Sequence, residues 1–177
     1  MEADWIAGAR RVLSPNCDSR PPGTEISLLV LHSISLPRGA YGGDAIERLF
    51  TNRLDLASHA SFAELAGLRV SAHFLVRRDG ALIQFVPLAR RAWHAGASGW
   101  RGRERCNDFS IGIEIEGTDD SEFGAAQYVS LGRLIGKLQS RLPLRDIAGH
   151  SDVAPGRKSD PGKHFDWARL LSGLALK

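Results

Sequence analysis

Three residues that could do chemistry, His150, Lys158 and Asp160, stand close together in the Pro- and Gly-rich segment AGHSDVAPGRKSDPGKHFDW. A fourth, His32, follows the apolar run ISLLVL. Two imidazoles and one carboxylate form the ligand set of several catalytic zinc sites, which keep the fourth tetrahedral position for water. If the loop after His150 folds back, Asp160 joins the two histidines, and the spacing favours a catalytic metal site over a structural one closed by cysteines.

Two glutamates, Glu114 and Glu116, occupy alternate positions of the segment SIGIEIE. A carboxylate beside a metal-activated water can take its proton and pass it to a leaving amine. We expect one glutamate to do this and the other to be structural or to bind an arginine. Lys158, judged alone, is an ordinary surface lysine. Beside a ligating Asp160, however, its ammonium group could stabilise negative charge developing on a carbonyl oxygen.

The elements that must position these residues follow from hydrophobic periodicity and turn signals. Apolar or alternating segments predict strands at residues 26–32, 70–77, 82–86, 110–116 and 145–148, and amphipathic spacing predicts helices at 44–52, 128–142 and 165–174. The pair Asp79-Gly80 indicates a hairpin between the second and third strands. The predicted fold class is α/β (α+β), with a mixed central β-sheet flanked by α-helices. His32 and His150 both follow strands, and ligands gather at the carboxyl ends of strands in such sheets.

Length and composition restrict the number of domains and the class of protein that the chain can be. The chain has 177 residues, of which 43% are hydrophobic and 24% charged, which is ordinary for a globular protein. We expect one domain over residues 1–177. No apolar run reaches the roughly 18 residues that a membrane span needs, and the start MEADWIAGARR lacks the features of a secretory signal, so we expect a cytoplasmic protein without a membrane partner. Cys17 and Cys106 are too few for a disulfide scaffold.

The formal net charge is +3, and part of the basic charge is concentrated in one stretch of the sequence. The arginines of this stretch are Arg90, Arg91, Arg101, Arg103 and Arg105. A guanidinium group suits carboxylates and phosphates, so the cluster could serve an anionic ligand or nucleic acid, or it could be a solvated basic surface. Nucleic-acid binding is the less favoured interpretation of the cluster, because no recognisable binding motif accompanies it. We expect neither nucleic acid nor an obligate protein partner.

Five segments carry a resemblance to a known family: LVLHSIS, RVSAHFLVRRDG, RAWHAG, RGRERCNDFSIGIEIEGTD and GHSDVAPGRKSDPG. Together, and in this order, they resemble the zinc-dependent N-acetylmuramoyl-L-alanine amidases, a family that includes phage lysozyme-like amidases and the animal peptidoglycan recognition proteins. The resemblance extends from Trp5 to Arg169. It is greatest to the cytoplasmic enzymes that remove the stem peptide from 1,6-anhydro-N-acetylmuramyl peptides during cell-wall recycling. It therefore implies Zn²⁺ as cofactor and a small anionic muropeptide as substrate.

The resemblance also implies roles for individual residues. His32, His150 and Asp160 match the metal ligands. Glu114 matches the catalytic glutamate, and Lys158 matches the lysine that stabilises the tetrahedral intermediate. The positions that match the substrate groove are Arg69, Trp93, His94, Ala95 and Arg105. One departure is Ser33, where an asparagine is expected in the nearest relatives, and it affects the shape of the substrate subsite rather than the metal site.

The function implied is zinc-dependent hydrolysis of the amide bond between the lactyl group of (1,6-anhydro-)N-acetylmuramic acid and L-alanine of the stem peptide. The alternative is a catalytically silent muropeptide-binding module. Recognition proteins that have lost catalysis typically lack a metal ligand, whereas this chain keeps all three. Whether the anhydro-muropeptide or intact peptidoglycan is preferred stays open at this point.

Overall fold

The computed structural model describes residues 4–174, so residues 1–3 and 175–177 of the predicted domain lie outside the described residues. Its strands are β1 (Arg10–Arg11), β2 (Cys17–Ser19), β3 (Leu28–Ile34), β4 (Phe74–Val76), β5 (Leu82–Gln84), β6 (Arg90–Ala92), β7 (Gly99–Trp100), β8 (Arg103–Glu104), β9 (Ser110–Glu116) and β10 (Asp146–Gly149). Its α-helices are α1 (Ala45–Phe50), α2 (Ala125–Gln139), α3 (His150–Val153) and α4 (Trp167–Ser172). Short 3₁₀ helices span Leu56–Ser58, Ala60–Leu65 and Cys106–Asp108.

Within residues 4–174, six strands form the central sheet in the order β1-β5-β4-β9-β3-β10. The pairs β1–β5, β4–β9, β9–β3 and β3–β10 are parallel, and β4–β5 is antiparallel. The mixed sheet with helices packed on it confirms the fold class expected from the sequence. Because β3 lies between β9 and β10, the three strands that carry candidate site residues are direct neighbours.

The alternation of strand β9 is reproduced in the structure with the predicted bounds. Its isoleucines Ile111, Ile113 and Ile115 are fully buried in the cluster that includes Leu131 and Ile135 of α2. The opposite face of β9 therefore carries Ser110, Gly112, Glu114 and Glu116. On neighbouring β3 this second face carries Leu28 and Val30, which pack against Ala95 and Cys106. One face of the sheet holds the main core, and the other holds the polar residues of interest.

The hairpin at Asp79-Gly80 is confirmed. Gly80 has a φ of 84°, and the turn closes through a hydrogen bond from its amide to the carbonyl of Arg77. Strand β3 differs from the prediction by two residues, since it begins at Leu28 and continues to Ile34. The reason is its parallel ladder with β9, which pairs Leu28 with Ser110 and Ile34 with Glu116. His32 consequently lies inside the strand rather than at its end.

No helix within residues 4–174 is both long and apolar enough to cross a membrane. Cys17 and Cys106 are free thiols. Burial raises the pKa of the Cys106 thiol, which keeps it protonated.

Candidate metal and catalytic site

Strand register brings the first site residues together. His32 of β3 lies directly opposite Glu114 of β9, and paired residues of neighbouring strands project to the same face of a sheet. On the other side of β3, Leu31 pairs with Gly149, the last residue of β10. The next residue, His150, begins α3 and so stands at the carboxyl end of the neighbouring parallel strand. The two histidines converge because their strands are adjacent and parallel.

The loop after α3 folds back and brings Asp160 to the two histidines. The carbonyl of Asp160 accepts a hydrogen bond of 2.9 Å from the amide of Ser151, which ties the end of the loop to its start. The carboxylate Oδ2 of Asp160 lies 3.1 Å from Nδ1 of His32 and 3.1 Å from Nδ1 of His150, and the two Nδ1 atoms are 2.9 Å apart. Three potential ligand atoms therefore meet at one point.

This donor set fits a zinc ion. Ligand bonds of about 2.0–2.1 Å in tetrahedral geometry place the ligand atoms about 3.3 Å from one another, close to the separations observed. His32 and His150 are buried, and Asp160 is largely buried. Burial lowers the pKa of His32 to about 4, so its ring is neutral at neutral pH. Burial opposes ionisation of Asp160, but the hydrogen bonds with His150 and His32 outweigh it and lower the pKa of that carboxyl. A neutral His32 ring and an ionised Asp160 carboxylate are the protonation states that bind metal.

Glu114 lies beside this group at the floor of a cleft. Its Oε2 atom is sealed from solvent and has no hydrogen-bond partner among the described residues. Burial, followed by the negative charge of Asp160, raises the pKa of Glu114 well above its usual value, whereas the positive charge of Lys158 opposes that rise. A carboxyl with a raised pKa and a free oxygen suits proton transfer at neutral pH.

Glu116, the second glutamate of the pair, has a different environment. Its carboxylate accepts hydrogen bonds from the Arg77 guanidinium at 2.9 Å, from the Arg78 amide at 3.0 Å and from the Gly42 amide at 2.7 Å. It is 1% exposed, so these bonds compensate its buried charge. The expectation that one glutamate is structural and bound to an arginine is fulfilled by the Glu116–Arg77 ion pair.

The cleft above the cluster has a volume of about 550 Å³. Its lining includes His32, His150 and Asp160, and it also includes Glu114, Lys158, Ser33, Trp93 and His94. All five residues that the sequence assigned to catalysis or metal binding therefore line one cavity. Arg157 and Arg38 add positive charge to the same rim.

Three of the residues assigned to substrate binding lie elsewhere. Arg69 lines a neighbouring shallow pocket. Ala95 is fully buried, and its carbonyl accepts a hydrogen bond of 3.2 Å from Nε2 of His150. Arg105 is an exposed residue whose guanidinium lies 3.4 Å from Asp108. Contact of these residues with a substrate stays a prediction.

The arginine cluster is occupied by contacts within the protein. Arg91 forms ion pairs with Asp18 and Asp108. Arg101 pairs with Asp146 at 2.8 Å, and the Arg103 guanidinium stacks 3.7 Å from the ring centroid of Phe109. Arg90 donates weak bonds of 3.4–3.5 Å to the strand at residues 17–19. Arg91 is thus held by internal ion pairs, whereas the side chains of Arg101 and Arg105 are 71% and 69% exposed.

Several supporting residues were missed by the sequence reasoning. His94 was assigned to substrate binding, yet its ring also contacts the metal-ligand candidate His32, with 3.0 Å between His94 Nδ1 and His32 Nε2. Asn107 and Arg157 bind the backbone of the loop around residues 94–97. The sequence signal for these residues is weak, because hydrogen bonds to loop carbonyls and amides leave no periodic pattern.

The fold and the site together define a class of protein: a mixed-sheet protein in which a metal-type cluster of two histidines and an aspartate lies beside a buried glutamate. Comparison with known proteins narrows this class. The family model described as N-acetylmuramoyl-L-alanine amidase matches residues 22–163. The chain is 54% identical over 172 residues to the 1,6-anhydro-N-acetylmuramyl-L-alanine amidase AmpD of Escherichia coli K12, covering 96% of this chain and 94% of that protein. It is 46% identical over 177 residues to AmpD of Haemophilus influenzae, covering 98% and 96%.

Solved structures of two amidases also match this chain. A crystal structure of an AmpD selenomethionine derivative superposes with a TM-score of 0.95 at 52% identity, covering 98% of each chain. AmiD of Escherichia coli, in complex with the substrate anhydro-N-acetylmuramic acid-L-Ala-D-γ-Glu-L-Lys, matches at a TM-score of 0.62 and 31% identity, covering 89% of this chain and 62% of that one. The chain belongs to the N-acetylmuramoyl-L-alanine amidase family, and it is an enzyme of that family.

Proposed function

We propose that this protein hydrolyses the amide bond between the lactyl group of 1,6-anhydro-N-acetylmuramic acid and L-alanine, with His32, His150 and Asp160 holding a zinc ion. The observation that carries the proposal is the convergence of these three donors, 2.9–3.1 Å apart, beside the unpartnered Oε2 of Glu114. When bound, zinc supplies Lewis-acid polarisation of the carbonyl and lowers the pKa of water.

The chain's own residues perform the proton transfers and stabilise charge. Glu114 accepts the proton of the attacking water and returns it to the nitrogen of L-alanine as the amide bond breaks. Its raised pKa suits both steps, since the group must first be a base and then an acid. Lys158, on the wall of the same cleft, stabilises the negative charge that develops on the substrate carbonyl oxygen.

The choice of the anhydro-muropeptide as substrate rests on the relatives. Both AmpD proteins cited above are named 1,6-anhydro-N-acetylmuramyl-L-alanine amidases and are aligned over nearly all of this chain. AmpDh3 of Pseudomonas aeruginosa, 32% identical, has been solved in complex with anhydromuramic pentapeptide. This chemistry supports a role in peptidoglycan recycling.

Two further expectations belong to the proposal. We place the enzyme in the cytoplasm, as the resemblance to recycling amidases implies, and fractionation of cells that express the tagged protein tests this location. We also treat residues 1–177 as one amidase domain, which predicts a single cooperative unfolding transition.

The test of function is mass spectrometry of anhydro-N-acetylmuramic acid-L-Ala-D-γ-Glu-L-Lys incubated with the purified protein. The expected products are the free tripeptide and the anhydro-sugar, lost after treatment with a chelator and regained with Zn²⁺. Unchanged substrate with the zinc-loaded protein would contradict the proposal, and intact peptidoglycan would be tested next. Product formation that survives complete chelation would contradict the metal role alone.

Replacement of Glu114 tests the assignment of the base. Glu114→Gln keeps the shape but removes the proton acceptor, so we expect kcat to fall by about 10²–10⁴-fold while zinc content stays at the wild-type level. Glu104→Gln is the matched control, because Glu104 is exposed on β8 and its replacement should leave kcat unchanged. Full activity of Glu114→Gln would assign the proton transfer to another group.

A further inference from the structure

We propose that one segment, residues 94–97, orients both metal-ligand histidines, so that each carries its proton on Nε2 and presents Nδ1 to the metal. We call this segment the support loop. The inference rests on the proposed metal site and assigns His94 and Arg157 as positioning residues. Ligating histidines are commonly fixed by a hydrogen bond from the ring nitrogen that does not bind the metal, and the support loop provides this partner to both rings.

The partner of His150 is unambiguous. Its Nε2 lies 3.2 Å from the carbonyl oxygen of Ala95. A carbonyl oxygen only accepts hydrogen bonds, so a His150 ring whose Nδ1 binds the metal carries its proton on Nε2. In a neutral imidazole, Nδ1 then has a free lone pair, and this is the atom that faces Asp160.

The partner of His32 is the side chain of His94. Nε2 of His32 lies 3.0 Å from Nδ1 of His94, and Nε2 of His94 lies 3.2 Å from the Ser110 hydroxyl. When His94 carries its proton on Nε2, it donates to Ser110 and can accept at Nδ1. His32 then donates from Nε2, which leaves its Nδ1 for the metal.

The support loop is held from two sides. The Asn107 side-chain oxygen accepts hydrogen bonds from the amides of His94 at 3.2 Å and Ala95 at 2.8 Å. The Arg157 guanidinium donates to the carbonyls of Ala95 and Ala97, each at 2.6 Å. Ala95 thus has its amide and its carbonyl both fixed, so the oxygen that receives the His150 proton has a defined position.

The sheet below the loop leaves space for the His94 ring. A Cβ atom added at Gly112 would lie 2.4 Å from Cγ of His94 and 2.6 Å from its Cδ2. Real Cβ atoms essentially never make contacts under 3.0 Å, so any side chain at this position of β9 would displace the ring. The glycine in SIGIEIE therefore permits the approach of His94 to His32.

The first test is long-range ¹H–¹⁵N correlation NMR of the zinc-loaded protein, which identifies the protonated nitrogen of each histidine ring. We expect Nε2–H on His32, His94 and His150. A proton on Nδ1 of either ligand histidine would overturn the inference.

The second test is zinc affinity, measured by competition with a chromophoric chelator. His94→Leu removes the acceptor for His32, and Arg157→Ala frees the carbonyl of Ala95. Loss of such supporting contacts typically costs about 10–100-fold in metal affinity, and we expect a loss in this range for His94→Leu and a smaller one for Arg157→Ala. His94→Asn keeps an acceptor near the Nδ1 position and should restore most of the affinity.

Two comparisons separate the possible outcomes. Arg101→Ala, at a residue whose side chain is 71% exposed, is the matched arginine control and should bind zinc like the wild type. If wild-type protein fails to bind zinc, the proposed function fails together with this inference. If the wild type binds and His94→Leu binds equally well, only the inference fails. Equal losses of zinc affinity in His94→Leu and His94→Asn would indicate that His94 acts only by packing, and this result would also refute the inference.

Discussion

The buried histidine His73 makes the free energy of unfolding depend on pH. Its ring is fully buried on the sheet face below the support loop. Nδ1 accepts a hydrogen bond of 3.0 Å from the amide of Gly112, and Nε2 lies 3.1 Å from the Arg90 carbonyl. Burial, helped by the positive charge of Arg20 with its Nη2 3.1 Å away, lowers the pKa of His73 from 6.5 to about 3. The ring is therefore neutral in the folded protein.

The magnitude follows from linkage. Between pH 6.5 and about 3 the unfolded chain binds a proton at His73 and the folded chain does not, so the free energy of unfolding falls as the pH falls. This contribution is fully present above pH 6.5, the pKa of the unfolded state. Each pH unit in the window changes stability by about 1.4 kcal/mol. From pH 7.5 to pH 5.0 the buried ring therefore accounts for a loss of about 2 kcal/mol.

The assay is urea unfolding of the chelator-treated protein at pH 7.5 and pH 5.0. His73→Asn keeps an acceptor for Gly112, and it should be less stable than the wild type at pH 7.5. The decrease in its free energy of unfolding between pH 7.5 and pH 5.0 should, however, be about 2 kcal/mol smaller than that of the wild type. His59→Asn, at an exposed histidine, serves as the control and should keep the wild-type pH dependence. Equal losses in the wild type and His73→Asn would refute the reasoning, because other groups would then cause the entire effect.

Three further perturbations have definite expected results. Leu131→Ala, at a fully buried position of α2, should lower the free energy of unfolding by about 3–5 kcal/mol, with an unchanged denaturant slope in urea. Arg77→Met leaves the buried carboxylate of Glu116 without its cation and should cost about 3 kcal/mol; the double variant with Glu116→Gln should recover part of this loss, and full additivity would argue against the pair. Asp160→Asn should reduce zinc affinity in chelator competition by more than about 100-fold, since a ligand matters more than its supporting contacts.

The sequence was sufficient to predict the parts of the site that depend on regular structure. His32 lies near the carboxyl end of the apolar strand β3, and His150 directly follows β10. Neighbouring parallel strands end at the same edge of a sheet. The alternation of β9 likewise predicted which face would carry Glu114. These inferences succeed because successive side chains of a strand point to opposite faces of the sheet. This alternation does not depend on the conformation of the surrounding loops.

The support loop could not be predicted in the same way. Asn107 binds an amide 13 residues away, and Arg157 binds a carbonyl 62 residues away. Both partners are backbone atoms, so the bonds depend on loop conformation and not on the type of residue contacted. The resemblance placed His94 in the substrate groove, and the structure adds that its ring contacts His32. A single histidine in RAWHAG cannot distinguish these two roles.

The two glutamates of β9 have different environments that the sequence pattern cannot distinguish. Glu114 and Glu116 are the same residue type on the same face of the same strand, so periodicity treats them alike. In the ladder, Glu114 lies opposite His32, whereas Glu116 lies opposite Ile34. Arg77, the residue after β4, reaches Glu116 and neutralises it. Burial, followed by the negative charge of Asp160, raises the pKa of Glu114 instead. A shift of two residues in this pairing would place Glu116 opposite His32 and Glu114 opposite Val30. The register of β3 and β9 therefore selects which glutamate lies beside the donor cluster.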